Sequence, residues 1–333
     1  MNFDIAMPLT LFTVTMIAMF LNNKAERKLK PTFEEREFRI RDAVFLVTAM
    51  GITVSIIIFI PQLALMIMFL FAYSMLLFMF TYLFSDFKKT GAKVFCSAFF
   101  TVSFLAATIS LIVFGANSTV AYGALVFYCL SGFAFLALMY EQYRIDTGER
   151  WYLAVLPPAS FICFYLIFNK TPLWFPYLMD LFGIVFAILI ILYLGSLFSW
   201  KTSLIFVGLL TVMDIILVLF TGSMVSAVRH ISSLRLPMLI SVPTIPASSF
   251  YISLGLGDFF FAGLLAVQTM KKFGRQFAVL SIVAMSSSFF VFETFMLNFK
   301  WGALPGTLMI ICGWLPLVLW KRRNIKKLDW IEK

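Results

Sequence analysis

The chain has 333 residues, of which 62% are hydrophobic and only 13% are charged, and its mean hydropathy is +0.98. So few polar side chains cannot cover a soluble globule of this length, which excludes that class and predicts a polytopic membrane protein. The net charge of +10 indicates basic residues retained on the cytoplasmic side of a lipid bilayer, and no nucleic acid is expected as a partner.

Apolar runs of about 17 to 22 residues, the length that crosses about 30 Å of hydrocarbon as a helix, recur along the chain. They predict an all-α integral membrane protein with about eleven transmembrane helices, in a range of roughly nine to eleven. The run at 152–168 carries Pro157 and Pro158 and could instead be re-entrant. In chain order the runs are residues 5–21, 43–60, 63–84, 94–114, 119–139, 152–168, 177–198, 202–220, 251–270, 276–295 and 303–320.

Lysine and arginine collect in loops on the cytoplasmic side of a membrane, so their positions test the number of crossings. With eleven spans, only Lys170, Arg229, Arg235 and Lys300 lie outside, and the rest of the 26 basic residues lie inside. This distribution predicts an N-terminus outside and a cytoplasmic C-terminus. The short loops favour a prokaryotic cell membrane.

Neither a metal site, nor a disulfide framework, nor a cofactor is predicted. The four cysteines lie within apolar runs and have no CxxC spacing. His230 is the only histidine, and it has no ligand-type neighbours in its loop, so we expect a surface position for it.

The connection between the runs at 202–220 and 251–270 is unusual. Its second half is apolar, yet Pro237, Pro243 and Pro246 interrupt it. Such a segment cannot form a regular helix, and irregular backbone at membrane depth needs cover from protein or from a watery cavity. We expect this segment to line a cavity just before Asp258.

Asp258 lies inside an apolar run directly after Gly255 and Gly257. An ionisable group in hydrocarbon costs roughly 2.5 to 3.5 kcal/mol on insertion scales, which makes it a functional-site candidate that needs a partner. Asp214, near the end of the preceding run, is the predicted partner. If the two runs are antiparallel helices, the carboxylates lie roughly 9 and 10 Å below the outer boundary at about 1.5 Å per residue.

Two carboxylates about 3 Å apart cannot both ionise, so the pair keeps one proton. One member can then act as a base toward water while the other acts as an acid toward a carbonyl oxygen. This is the chemistry of aspartic peptidases, which needs neither a metal nor a covalent intermediate.

The glycines and the proline-interrupted segment fit a substrate that is itself a membrane helix. Gly255 and Gly257 weaken helix locally, permit positive φ and let another backbone come close. A peptide bond inside a helix must be unwound before it is cut, so an enzyme must offer replacement backbone partners, as strand addition does. We predict that residues 237–250 offer this edge.

Residues 254–261, Leu-Gly-Leu-Gly-Asp-Phe-Phe-Phe, resemble the Gly-x-Gly-Asp motif of presenilins and signal peptide peptidases, the intramembrane aspartyl proteases. Asp214 falls where that family has its first aspartate, one helix earlier. Residues 236–243 are similar to the linker of archaeal presenilin homologues. Residues 302–305, Gly-Ala-Leu-Pro, resemble in part the Pro-Ala-Leu motif at the start of the family's last helix.

The Pro-Ala-Leu resemblance allows two alignments. If Ala303 and Leu304 are aligned with Ala and Leu, Gly302 replaces the first proline. If Pro305 is aligned with that proline, Gly306 and Thr307 stand for Ala and Leu.

The resemblance covers roughly residues 202–320 and implies an intramembrane aspartyl endopeptidase that cleaves transmembrane proteins or signal peptides. It implies a scaffold of about seven helices in residues 1–201 and a catalytic transmembrane core in residues 202–333. The implied catalytic residues are Asp214 and Asp258. The implied motif or substrate-binding residues are Gly255, Leu256, Gly257, Ala303, Leu304 and Pro305.

Two alternatives remain open. A proton- or ion-coupled transporter could use the same carboxylates as a relay, although it would show two broken segments in corresponding halves, and the sequence has one such region. A catalytically inactive presenilin-like protein would fit Met213, which stands where the family has tyrosine. Asp180 and Glu293, the other acidic residues in apolar runs, are predicted to be interfacial, with hydrogen bonds to nearby serines as an alternative for Glu293.

Overall fold

The computed structural model describes residues 3–32, 38–57, 62–85, 89–115, 118–144, 150–222, 234–246, 250–299 and 304–331. The chain divides into two compact units. The first contains residues 1–61 and 179–333, and the second contains residues 62–178. The candidate aspartates both belong to the first unit.

Each predicted apolar run contains a helix in the described structure. In chain order the helices are α1 (Ala6–Thr32), α2 (Ile40–Ile57), α3 (Gln62–Leu83), α4 (Lys89–Phe114), α5 (Thr119–Arg144), α6 (Leu156–Phe168), α7 (Met179–Leu197), α8 (Trp200–Ile215), α9 (Leu256–Phe273), α10 (Arg275–Phe299) and α11 (Gly306–Ile331). A 3₁₀ turn precedes α6 at Trp151–Val155, and a π-helical turn lies at Ile216–Phe220. The backbone is kinked at Trp174–Leu178, where Phe175 is extended, with φ −104° and ψ 127°.

Seven helical segments within the described ranges are long and apolar enough to cross a membrane. They are Ala6–Leu29, Thr90–Phe114, Thr119–Tyr140, Trp151–Phe168, Trp174–Leu197, Trp200–Phe220 and Arg275–Phe299. Together with the composition, these segments make the chain an all-α integral membrane protein.

Some helices extend beyond the apolar runs that identified them. The first run ends at residue 21, but α1 continues through a charged segment to Thr32. Lysine, arginine and glutamate are good helix formers, so a helix can leave the apolar layer without ending. The run at 303–320 likewise continues as α11 to Ile331. Hydropathy therefore locates the apolar part of a helix rather than its end.

Helix α9 lies at the centre of the first unit, with α1, α7 and α10 packed around it. Every residue from Phe259 to Thr269 is buried. A Cβ atom at Gly263 would lie 2.5 Å from Ile191 of α7, so glycine is required for this approach of the two helices. At the other end of α9, Lys271 forms an ion pair with Glu26 of α1, with an N–O distance of 2.9 Å.

In its described residues, 234–246 and 250, the proline-interrupted segment forms part of a hairpin and, as predicted, no helix. Strand β1 (Leu239–Pro243) pairs antiparallel with β2 (Tyr251–Gly255). The prediction of one continuous helix over 251–270 is therefore wrong for its first five residues. Apolar residues fit a strand and a helix alike, and pairing with β1 decides between them. Protein covers β1, because Ile240 and Ser241 are buried.

The second unit is built from α3 to α6. Helices α4 and α5 pack against each other through small and aromatic side chains, with α6 against α5 and α3 against α6. Ser103 of α4 and Ser131 of α5 join their hydroxyl groups inside this packing, which satisfies both polar groups away from water.

Candidate active site

The structure brings Asp214 and Asp258 together at one end of α8 and α9. Asp214 lies in the last turn of α8 and Asp258 in the first turn of α9, and both side chains are partly buried. The two carboxyl groups are close enough for the charge of Asp214 to act on Asp258. The position of Asp258 at a helix N-terminus also favours negative charge, because the unpaired N–H groups of the first turn point toward it.

Thr307 in the first turn of α11 contacts both carboxyl groups. Its hydroxyl group donates a hydrogen bond to Asp214 Oδ2 at 2.7 Å, and its main-chain N–H donates to the Asp258 carboxyl. The N–H of Gly255 also donates to Asp258. Thr307 is only 2% exposed. Three segments that are distant in sequence therefore meet at the carboxyl pair.

Gly306 packs directly against Asp258. A Cβ atom at this position would lie 2.6 Å from Asp258 Oδ1 and 2.7 Å from Cγ, distances that atoms cannot adopt. Any other residue at 306 would displace the carboxyl group. Of the two alignments with the Pro-Ala-Leu motif, the one that begins at Pro305 has its next two residues, Gly306 and Thr307, in contact with the aspartates.

The remaining predicted motif residues differ in their surroundings. Gly255 ends β2 with a φ of −69°, so it does not use the positive φ that glycine permits. Leu256 is buried, whereas Gly257 is exposed, and a Cβ atom at Gly257 would meet no atom of the described residues within 4 Å. Leu304 and Pro305 lead into α11. Ala303 lies outside the described residues, as does His230.

The two hairpin strands have one outer edge each. Hydrogen bonds flank the five strand pairs at both ends of the hairpin. Leu256 N–H donates to Met238 O at 3.0 Å at one end, and Thr244 N–H donates to Phe250 O at 3.1 Å at the other. Since alternate pairs of an antiparallel ladder exchange hydrogen bonds, the even-numbered residues of both strands bond to each other. The odd-numbered residues therefore direct their N–H and C=O groups to the outer edges.

Helix α7 occupies the outer edge of β1. Ser241 N–H donates to Asp180 Oδ1 at 2.8 Å, and Pro243 has no N–H to offer. The edge predicted within residues 237–250 is therefore taken. The prediction that Asp180 is simply interfacial misses this role, because no sequence pattern pairs residues so far apart.

The outer edge of β2 leads to the carboxyl pair. Tyr251 and Ser253 on this strand are exposed, and no third strand in the described part of the chain pairs with it. At its last residue, Gly255, the edge N–H donates to Asp258. An extended chain laid along β2 would therefore run toward both aspartates.

Two further residues named from the sequence lie away from the carboxyl pair. Met213 packs toward α2, where its Sδ atom would lie 3.0 Å from a Cβ atom at Gly51. Glu293 of α10 is 5% exposed, and neither of its carboxyl oxygens has a hydrogen-bond partner among the described residues, so the alternative of hydrogen bonds to nearby serines is not found there. The described residues contain no group of three His, Cys, Asp or Glu side chains arranged to hold a metal.

No family model, curated protein or solved structure matches the chain. The chemistry of the site therefore follows from its own residues: two carboxyl groups, a hydroxyl group bonded to Asp214, main-chain donors and an adjacent strand edge.

Proposed function

We propose that this protein is an intramembrane aspartyl endopeptidase that hydrolyses peptide bonds within transmembrane segments or signal peptides. The observation that carries the proposal is the meeting of Asp214 and Asp258 at one end of α8 and α9, where Thr307 contacts both. Carboxyl groups in a membrane core are costly, and two of them on neighbouring helices form a unit that can hold and move one proton.

The reaction uses that shared proton. The ionised carboxylate takes a proton from a water molecule as the water oxygen attacks the carbonyl carbon, and the protonated carboxyl group gives its proton to the carbonyl oxygen. The resulting gem-diol collapses when a proton passes to the amide nitrogen and the carbon–nitrogen bond breaks. No metal and no cofactor take part in this scheme.

The edge of β2 supports the substrate class. A transmembrane helix must lose its internal hydrogen bonds before its peptide bonds can be attacked, and a strand edge replaces the lost partners. The open space beside Gly257 leaves room for a second backbone next to Asp258.

The number of membrane crossings and the orientation of the termini are part of the same proposal. Eleven crossings, with the N-terminus outside and the C-terminus in the cytoplasm of a prokaryotic cell, place most basic residues inside. The catalytic core in residues 202–333 is presenilin-like, and residues 1–201 form the scaffold.

A non-hydrolysable peptide tests this proposal against a transporter or a structural carboxyl pair. We expect a transmembrane peptide with a hydroxyl-bearing group in place of one amide to bind at least about 100-fold more tightly than the same peptide with a methylene there, because the hydroxyl copies the gem-diol. Asp258→Asn should remove this preference. Equal binding of the two peptides to the wild-type protein would exclude the peptidase.

A further inference from the structure

We propose that the hydroxyl group of Thr307 is a positioning group that holds Asp214 toward Asp258 and stays bonded to it in both protonation states. This inference rests on the proposed function and adds a residue to it that the Pro-Ala-Leu resemblance does not supply, since leucine has no hydroxyl group. The geometry behind it is the Thr307 Oγ1 to Asp214 Oδ2 hydrogen bond of 2.7 Å.

The bond is unusual for a threonine in this chain. Many threonine hydroxyls in its helices donate to the carbonyl four residues earlier, as Thr211 of α8 does to Val207 O at 2.8 Å. Thr307 instead reaches a different helix, although a local bond is the common alternative for such a side chain. Its position in the first turn of α11 also leaves its N–H without a helical partner, and that N–H donates to Asp258.

A hydroxyl group suits a carboxyl group that gains and loses a proton. It can donate to the ionised carboxylate, and after rotation it can accept from the protonated acid. Main-chain N–H groups can only donate, so those that bind Asp258 contact its accepting oxygen atoms whichever carboxyl group holds the shared proton. Thr307 therefore keeps Asp214 in place throughout the reaction, while the N–H donors hold Asp258.

Besides Thr307, few groups around Asp214 can affect the ionisation of its carboxyl group. Among the described residues, Asp258 from α9 is the titratable group that faces it. Helix α2 meets this part of α8 at Gly51, which packs on Met213, and α11 meets it at Thr307. Loss of the hydroxyl therefore removes a stabilising contact of the ionised Asp214 that no described neighbour replaces.

The test is the pH profile of kcat/KM for a transmembrane peptide, measured on purified wild-type protein and three variants. We expect Thr307→Val to move the acidic limb of the profile to higher pH by about one unit, because a donor to the carboxylate is lost. Thr307→Ser, which keeps the hydroxyl, should retain the wild-type profile. Thr211→Val, which removes a buried hydroxyl three residues from Asp214, should also retain it.

A second readout needs no proteolysis. The infrared band of the Asp214 carboxyl group can be identified because Asp214→Asn lacks it. This band should titrate about one pH unit higher in Thr307→Val than in the wild type. If Thr307→Val does not fold, as judged by gel filtration and thermal unfolding, Thr307→Ala replaces it in both measurements.

The two readouts separate this proposal from the peptidase proposal. An inactive wild-type protein in which Thr307→Val still shifts the infrared titration would overturn the peptidase proposal and support the role of the hydroxyl group. Unshifted profiles and bands, or equal shifts in Thr307→Ser, would overturn the role of the hydroxyl.

Discussion

Gly306 has a hydrogen atom where any other residue would place a carbon against the carboxyl group of Asp258. A separation of 2.6 Å between an added Cβ and Oδ1 leaves the carboxyl group no room to remain in place. Gly208 on α8 provides the opposite case, because a Cβ atom there would meet nothing within 4 Å. The two glycines separate the effect of a side chain at the site from its effect on a helix elsewhere.

We therefore expect Gly306→Ala to lower kcat about 100-fold, since a displacement of about 1 Å in a reacting group has that effect. Gly208→Ala should leave kcat unchanged and raise stability by roughly 0.5 to 1 kcal/mol, because alanine favours helix. Cleavage rates and thermal unfolding of both variants check this. Full activity in a folded Gly306→Ala protein would mean that Asp258 does not need its observed position.

The sequence identifies the two aspartates but not the residues that hold them. Asp214 and Asp258 stand out because carboxylates are costly in apolar runs. Thr307 does not stand out, because threonine is common in these helices and its contact with Asp214 joins residues far apart in the chain. Its one signal is its place directly after Pro305 and Gly306, in the Pro-Ala-Leu alignment that begins at Pro305.

At the scale of elements, the hairpin is held by carboxylates from other parts of the chain. Asp180 of α7 accepts the N–H of Ser241, and Asp4, just before α1, accepts the N–H of Ile245 at 2.8 Å. Asp4 also accepts N–H groups from the first turn of α1. These bonds fix β1 and the turn, so that β2 presents its outer edge next to Asp258.

Removal of one such anchor should loosen the hairpin without unfolding the protein. A hydrogen bond to a charged group contributes about 1.5 to 3 kcal/mol, so we expect Asp180→Ala to raise amide exchange at Ser241 about tenfold or more. Hydrogen exchange with mass spectrometry measures this, and cleavage should slow in parallel. Asp42→Ala is the matched control, because Asp42 accepts the N–H of Arg39 at the exposed start of α2, at 2.8 Å. Equal exchange of the hairpin in both variants would contradict the anchoring role.

Hydropathy predicts most helices well and the start of α9 poorly. The run at 251–270 has the length and composition of a membrane helix, yet its first five residues pair with β1. Period and composition do not separate a short apolar strand from part of a buried helix. The prolines at 237, 243 and 246 do exclude a helix in the preceding segment, and that part of the prediction agrees with the structure.

At the scale of the whole molecule, the composition alone identifies a membrane protein, and seven described helical segments have the length and apolarity to span. Eleven crossings and the orientation of the termini stay predictions, as does the boundary between scaffold and core at residue 201. The compact units could not be read from hydropathy, because residues 1–61 join residues 179–333 through packing between distant parts of the chain.

Cleavage of a synthetic transmembrane peptide by the purified, folded protein tests the central claim most directly. We expect the wild type to cut it, and Asp214→Asn and Asp258→Asn each to lower the rate about a thousandfold or more, because the two carboxyl groups act as one unit. Glu293→Gln, which replaces a buried carboxyl group near Asp4 with an amide, should cut at the wild-type rate. A folded wild-type protein that cuts nothing, or either asparagine variant that cuts as fast as the wild type, would contradict the account.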